Sequence, residues 1–129
     1  MAKTTFFFVC LTAFVASSAI VNADSNGWND KIAWVAVDEA TAAAQASGKP
    51  IMTVIHKSWC GACKALKPQF AASADIEQLS SKFVMVNAMD DEEPSGDEWR
   101  PDGGYIPRII FSDSSGNVHP EITEGPNPK

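Results

Sequence analysis

Apolar residues in the middle of the chain occur in short runs separated by polar turns. In two of these runs, 51–56 and 83–87, apolar residues follow one another almost without interruption. Such runs are typical of strands that are covered on both faces of a sheet. Three further segments combine apolar and β-branched residues, which also favours strands. The predicted strands are therefore 32–37, 51–56, 83–87, 106–111 and 118–122.

Two helical segments separate the first three strands. Asp38 is a suitable cap for the Ala-rich segment 39–46, and Gly48 is the residue expected just after a helix end. A second helix is predicted over 64–72, with Pro68 inside it. An internal proline removes one backbone hydrogen bond, so we expect a kink there. The alternation of strands and helices predicts an α/β domain that ends in a hairpin.

The segment 88–105 is the longest one without a predicted element. It carries an acidic run at 90–93 and two consecutive glycines at 103–104. A loop of this length in a compact domain is usually functional or mobile. A run of like charges is also typical of a plain solvated surface. The residues alone leave both interpretations open.

The first 23 residues have the features of a secretory signal peptide. Lys3 precedes the apolar run 6–16, and Ala23 is a small residue at the predicted cleavage point. The alternative is an uncleaved anchor, but a membrane span needs about 18 apolar residues and this run is shorter. We therefore expect a single domain over 24–129 and no stable membrane insertion after cleavage.

Composition and charge exclude several classes of protein. Of the 129 residues, 45% are hydrophobic and 20% are charged, which indicates a globular rather than a disordered chain. The net charge of −6 argues against nucleic acid as a partner, because phosphate contacts need clustered Lys and Arg. Once Cys10 leaves with the signal peptide, only Cys60 and Cys63 remain. The domain must therefore fold by packing rather than by a disulfide framework.

Cys60 and Cys63 follow directly after the strand 51–56, and a helix follows them. The first cysteine of such a pair lies at a helix N-terminus, where free amides and the positive end of the dipole stabilise its thiolate. The thiolate is the attacking species in disulfide exchange. The second cysteine lies one turn later, close enough to resolve a mixed disulfide. We predict that Cys60 is the nucleophile and Cys63 the resolving thiol.

A cysteine pair has two other common uses, a metal site and a structural disulfide. A zinc site would need His56 and His119 as further ligands, and the spacing fits no standard pattern, so no metal is expected. A purely structural disulfide would close a very short loop and add little stability. Redox exchange also accounts for the strand before the pair and the helix after it.

The string 59–64 (Trp-Cys-Gly-Ala-Cys-Lys) and the step Ile106–Pro107 resemble the thioredoxin superfamily. Longer strings, at 56–68 and 101–108, resemble its small endoplasmic reticulum oxidoreductases related to the anterior gradient proteins. The resemblance extends over roughly 28–122. It implies a thioredoxin fold with a central mixed sheet flanked by helices. It also implies a cis Pro107 that faces the cysteines, with Ile106 offering its backbone to the substrate.

The same resemblance implies thiol-disulfide exchange on client proteins in the endoplasmic reticulum lumen. Glutathione is the implied co-substrate, with no cofactor besides the redox-active cysteine pair. Trp59 would shield the nucleophile and offer an apolar docking surface, unless it is a plain core aromatic. The pair Gly61-Ala62 lacks both the His of protein disulfide isomerase motifs and the Pro of thioredoxin motifs, which suggests a potential between those of the two proteins, roughly −180 to −270 mV.

Residues near the cysteines affect proton transfer and the charge around the two thiols. Val54 stands where many thioredoxin-like domains have a buried carboxylate, so we expect the proton of Cys63 to leave through water or another base. His56 and Lys57 would each place positive charge near the thiolate. Alternatively, His56 only ends a strand and Lys57 is solvated, because exposed charges interact weakly.

Some features leave alternatives open or depart from the family. Tyr105 and Arg108 flank the proline, and the residues alone do not decide whether they touch substrate. No apolar helical segment follows Ile122, although the family fold ends in a helix, so we expect a C-terminally truncated fragment. No retention tetrapeptide is present at 127–129, which makes secretion possible.

A second class of function remains beside the enzyme. A redox-silent, chaperone-like module of the anterior gradient type would bind clients through the same surface. Such a module has no need of a resolving thiol, so the presence of Cys63 favours an oxidoreductase.

Overall fold

Three of the predicted strands form the central sheet of the structure, a computed structural model that describes residues 22–122. The helices and strands are α1 (Ala40–Ser47), β1 (Ile51–His56), α2 (Gly61–Ala72), α3 (Ala74–Ser80), β2 (Val84–Met89) and β3 (Arg108–Ser112). Single 3₁₀ turns lie at Val37–Glu39, Asp90–Glu92 and Asp97–Trp99. The predicted signal peptide up to residue 21 lies outside the described residues, as does the C-terminal stretch from residue 123.

The sheet has the strand order β2-β1-β3. β1 pairs in parallel with β2, where Ile51 is opposite Val84, and antiparallel with β3, where Ile51 is opposite Ser112. β1 therefore occupies the centre, and five of its six residues are buried. This arrangement explains its unbroken apolar run and confirms the predicted mixed sheet flanked by helices.

The prediction of a strand over 32–37 was wrong. Trp34 and Val35 each form one isolated bridge, and the chain then enters the 3₁₀ turn at Val37–Glu39. Both residues are buried, so the apolar run reflects packing, with strand pairing limited to these two bridges. Short apolar runs do not separate these two cases. The cap of α1 is Glu39 rather than Asp38, and the helix ends at Gly48 with a φ of +71°, as predicted.

The predicted hairpin strand at 118–122 is reduced to one bridge between Ser112 and Val118. Asp113 instead organises the turn, because its Oδ1 accepts hydrogen bonds from the backbone N–H groups of Ser115 and Asn117. β3 begins at Arg108, two residues later than predicted. Pro107 has no N–H group to contribute to a strand ladder.

α2 begins at Gly61, three residues earlier than predicted, so that Cys60 is its N-cap. Pro68 lies within the helix, which continues to Ala72. Ser73 ends α2 and caps α3, where its hydroxyl accepts a hydrogen bond from the N–H of Ile76 at 3.2 Å. The two helices are therefore distinct elements joined at one polar residue.

The core has separate parts on the two faces of the sheet. One part packs α1 against the strands, and another packs α2 against them. The second part, called the α2 cluster below, consists of Trp28, Ile32, Trp34, Val54, Phe70 and Met85. Alternate residues of a strand share a face, so His56 faces the same side as Val54. α2 therefore packs on this cluster through Phe70, on the face of the sheet that also carries His56.

Candidate active site at the Cys60–Cys63 pair

Cys60 and Cys63 form a disulfide with their Cα atoms 5.3 Å apart. Both cysteines are buried. The backbone N–H of Cys63 donates a hydrogen bond to Sγ of Cys60 at 3.0 Å. This amide belongs to the first turn of α2, where N–H groups have no partner within the helix. In the reduced state the same amide would stabilise a thiolate on Cys60.

The Ile106–Pro107 peptide bond is cis and lies beside the disulfide. The carbonyl oxygen of Ile106 is 3.9 Å from Sγ of Cys60. The side chain of Ile106 packs on a small apolar cluster formed by Ile55, Ala88 and Ile110. The fold therefore holds the backbone before β3 next to the first cysteine.

Two large aromatic side chains are exposed: Trp59, which precedes Cys60 in the sequence, and Tyr105, which precedes Ile106. Their relative exposures are 74% and 59%, which is unusual for large aromatic side chains. The interpretation of Trp59 as a plain core aromatic is therefore wrong. Gly61 and Ala62, the two residues between the cysteines, are exposed as well.

His56 is fully buried at the end of β1, where its ring lies 5.1 Å from that of Trp28. Its Nε2 is 3.3 Å from Oδ1 of Asn87. An amide oxygen only accepts hydrogen bonds, so Nε2 carries the proton. Burial lowers the pKa of His56 below its ordinary value of 6.5, although the hydrogen bond with Asn87 opposes this shift. The structure therefore favours a neutral His56 over the predicted positive charge.

Lys57 is paired rather than solvated. Its Nζ lies 2.7 Å from Oε2 of Glu93 and donates a hydrogen bond to the carbonyl of Asp90, also at 2.7 Å. The next residue, Ser58, donates its N–H to Oδ1 of Asp90 at 2.8 Å, and this bond lowers the pKa of Asp90. The alternative in which Lys57 is a solvated cation is therefore wrong.

Glu93 is the functional candidate that the sequence did not single out. Besides Lys57, it pairs with Arg108 and, at 3.4 Å, with Arg100. Hydrogen bonds from Lys57 and then from Arg108 lower its pKa to about 2. Four acidic residues stand in a row at 90–93, and no local pattern distinguishes the paired one.

Arg108 points into the loop. Its Nε donates to the carbonyl of Trp99 at 3.1 Å and its Nη1 to the carbonyl of Tyr105 at 2.7 Å. The side chain of Trp99 packs on the apolar cluster next to β3. The loop 88–105 is therefore bound to the body of the domain at Glu93 and Trp99, while Asp91, Glu92, Asp97 and Glu98 are exposed.

His119 lies on the turn after β3, where its Nδ1 is 2.7 Å from Glu121 and its Nε2 is 3.3 Å from Asp113. These carboxylates raise its pKa. The structure thus gives His56 and His119 separate partners. Within residues 22–122, no group of three or more His, Cys, Asp or Glu side chains is arranged to hold a metal ion. In the same part of the chain, no helix is long and apolar enough to cross a membrane.

A family model described as thioredoxin-like matches residues 33–114. Anterior gradient protein 3 of Mus musculus is 40% identical over 101 residues, which cover 77% of this chain and 60% of that protein. Anterior gradient protein 2 homolog of Homo sapiens is 37% identical over 100 residues, which cover 77% and 56%. The chain thus spans little more than half the length of these relatives.

Two solved structures share the arrangement of the sheet and helices. One is named DsbH oxidoreductase and aligns with a TM-score of 0.54 at 19% identity, over 80% of each chain. The other is a disulphide isomerase from Xylella fastidiosa Temecula1, with a TM-score of 0.51 at 26% identity over 64% of this chain and 67% of that one. At 19% identity, the first likeness concerns the fold alone.

Proposed function

The chain belongs to the thioredoxin-like family, and from this premise we propose that it is a thiol-disulfide oxidoreductase acting on protein disulfides. The α/β fold is the thioredoxin-like one that the sequence predicts. The observation that carries the proposal is the Cys60–Cys63 disulfide at the N-terminus of α2, beside the backbone of Ile106. A dithiol in this position lies next to exposed loop residues and has a donor, the N–H of Cys63, ready for its thiolate.

The proposed reaction moves two electrons. The thiolate of reduced Cys60 attacks one sulfur of a client disulfide, the client S–S bond breaks, and the departing client thiolate takes a proton from water. The Cys63 thiol then loses its proton and attacks Cys60, which releases the second client thiol. The client disulfide is reduced and the Cys60–Cys63 pair is oxidised. The reverse sequence oxidises a client dithiol.

Each proposed site residue has a distinct part in this reaction. Cys60 is the nucleophile and Cys63 the resolving thiol. Ile106 and Pro107 offer backbone beside the attacking sulfur. Val54 is buried in the α2 cluster, so no carboxylate stands at that position to accept the Cys63 proton. Proton transfer there falls to water or another base.

Exposed Trp59 and Tyr105 form the proposed docking surface for clients. Aromatic side chains of this kind bind apolar segments with little loss of conformational entropy. Gly61 and Ala62 support this role because they do not obstruct the path to Cys60. The surface suits a partly unfolded client better than a folded one, since apolar segments are then exposed.

The finer assignment is a small endoplasmic reticulum oxidoreductase that resembles thioredoxin domain-containing protein 12. In this proposal, residues 1–23 are a cleaved signal peptide and a single domain starts at residue 24. Glutathione is the co-substrate that restores the dithiol or the disulfide, and client proteins are the other partners. The similarity to anterior gradient proteins supports this placement.

A redox titration tests the function. The chain is produced in a host that processes secretory proteins, equilibrated in defined mixtures of reduced and oxidised glutathione, and its thiols are trapped and counted by mass. We expect one two-electron transition between roughly −180 and −270 mV. Cys63→Ser is expected to accumulate a mixed disulfide with glutathione at Cys60, whereas Cys60→Ser is not.

The same titration tests the second candidate, a redox-silent client-binding module. The exposure of Trp59 and Tyr105 favours client binding by either kind of protein. A soluble, folded chain in which Cys60 and Cys63 never pair would contradict the oxidoreductase and support the binding module. A transition far outside the stated range would instead reject the potential inferred from Gly61 and Ala62.

A further inference from the structure

One carboxylate joins the two segments that flank the disulfide. Lys57 belongs to the segment before Cys60, and the N–H of Cys60 donates a hydrogen bond to its carbonyl at 3.2 Å. Arg108 follows Pro107 directly. Glu93 pairs with both side chains, although it belongs to neither segment. Glu93, Lys57 and Arg108 are called the Glu93 clamp below.

The Glu93 clamp is largely withdrawn from solvent. The side chains of Arg108, Glu93 and Lys57 are 3%, 12% and 17% exposed, respectively. Ion pairs with this degree of burial are screened less by salt, and the loss of one partner leaves an uncompensated charge. Arg100, the other cation at Glu93, is 52% exposed and adds little.

Both cations also donate hydrogen bonds to backbone carbonyls of the loop 88–105. Arg108 donates to the carbonyls of Trp99 and Tyr105, and Lys57 donates to that of Asp90. Both cations therefore bind the loop 88–105 through its backbone as well as through Glu93. Several directional contacts from each cation restrict the arrangement of the three segments, so the Glu93 clamp fixes their relative positions.

We propose that Glu93 is a positioning residue for disulfide exchange, which holds the Cys60 segment and the Ile106–Pro107 backbone at the separation that a substrate strand needs. This inference rests on the proposed function. Sγ of Cys60 and the carbonyl oxygen of Ile106 are 3.9 Å apart, in contact, so a client strand would lie alongside both groups rather than between them. A misplacement of about 1 Å near reacting groups can lower a rate about 100-fold.

The positioning effect of Glu93 favours exchange, whereas the electrostatic effect of its negative charge disfavours a thiolate on Cys60. Without this carboxylate, Lys57 and Arg108 would be two uncompensated cations next to the active-site segments. Positive charge stabilises a thiolate and lowers the pKa of Cys60. Loss of Glu93 should therefore leave Cys60 equally or more reactive toward a small reagent, while exchange with a client peptide becomes slower. A merely structural role would not separate these two reactivities.

The test compares Glu93→Gln with the unaltered full chain. Two rates are measured: reduction of a disulfide-bonded peptide, as kcat/KM, and alkylation of Cys60 by iodoacetamide across pH. We expect peptide reduction to fall about 10-fold or more, with an alkylation pKa that is unchanged or lower. Glu93→Asp, which keeps the charge on a shorter side chain, should recover part of the loss. Glu98→Gln is the matched control, because it removes an exposed carboxylate of the same loop.

Several outcomes would overturn the proposal. It fails if Glu93→Gln reduces the peptide as fast as the unaltered chain, or if peptide reduction and alkylation fall by the same factor. If Glu93→Gln does not fold, Lys57→Met is used instead, because it removes the Lys57–Glu93 ion pair and leaves the Arg108–Glu93 pair in place. An unchanged peptide rate in folded Lys57→Met then rejects the clamp. Failure of the proposed function is distinguishable, because the unaltered chain itself would then not reduce the peptide.

Discussion

The two sides of the Cys60–Cys63 disulfide are held by different forces. On one side, α2 rests on the α2 cluster, in which Phe70 meets Trp28 edge-on at 5.2 Å. On the other side, the Glu93 clamp binds the loop 88–105 through ion pairs and carbonyl acceptors. Apolar packing dominates below the helix, and directional polar contacts dominate beside the cis proline.

The two sides contribute differently: one mainly stabilises the fold, and the other mainly sets the geometry of the site. Apolar burial is non-directional and grows with the area removed from water, so the α2 cluster is suited to supply folding free energy. Charge-assisted hydrogen bonds add less net stability but define distances and angles closely. The side that must accept a substrate backbone is the side built from directional contacts.

The α2 side also contains one group of polar contacts, which is centred on Asn87. Asn87 donates its amide hydrogen to the carbonyl of Asp24 at 2.9 Å, and its Oδ1 accepts from Asn26 at 2.6 Å and from His56 at 3.3 Å. The segment before Trp28 is thereby attached to β1 and β2 near the active-site end of the sheet. These contacts are the part of that side that responds to pH.

The largest effect on stability is expected on the apolar side. Phe70→Ala should lower the free energy of unfolding by about 3–5 kcal/mol, since it leaves a cavity between α2 and the sheet. Urea unfolding measures the change. Leu79→Ala, at a half-exposed position on α3, is the control and should cost about 1 kcal/mol or less. If Phe70→Ala lowers the free energy of unfolding no more than Glu93→Gln does, the conclusion that apolar packing supplies most of the stability is wrong.

A smaller effect is expected on the charged side. Glu93→Gln should cost about 1–3 kcal/mol at neutral pH, because two cations lose their counter-charge. The folded pKa of Glu93 is depressed from 4.5 to about 2, so its contribution is present above pH 4.5 and is lost as pH falls toward 2. Unfolding curves measured across that range should converge for the two proteins. A gap that stays constant down to pH 2 would contradict the assignment.

The smallest effect is expected at His56. Its folded pKa lies below 6.5, so the unfolded chain binds protons more readily, and stability should fall as pH drops below 6.5. His56→Gln keeps a donor for Asn87, should cost on the order of 1 kcal/mol at neutral pH, and should flatten this decline. The decline is measured as the change in melting temperature with pH, for the unaltered chain and for His56→Gln.

His119→Gln is the control for that experiment. The pKa of His119 is raised, so its contribution is complete below pH 6.5 and is lost as pH rises through the folded value. This variant should therefore leave the decline below pH 6.5 intact. A decline that disappears in His119→Gln but persists in His56→Gln would reverse the assignment.

Much of the fold could be predicted because its signals are local. The unbroken apolar run of β1 identified the central strand, and the spacing of Cys60 and Cys63 identified a helix start. Glycine at residue 48 marked a helix end. The strand predicted at 32–37 was wrong because an apolar run reports burial, which strand pairing and simple packing produce equally.

The charged side could not be predicted in the same way. Lys57 looked either exposed or close to the thiolate, and Arg108 looked like a possible substrate contact. Both side chains are instead bound to Glu93, which comes from a distant part of the chain. Neither residue carries a local pattern that names its partner.

Local sequence is enough to predict the class of the domain, the position of its central strand and the dithiol at the start of α2. These features depend on side-chain periods, caps and spacings that operate within a few residues. The folded arrangement of the chain is needed to know which acid of the run 90–93 is paired, that His56 is buried, and that Ile106 lies beside Cys60. Ion pairs and burial depend on distance in space, and the path of the chain, rather than local sequence, sets that distance.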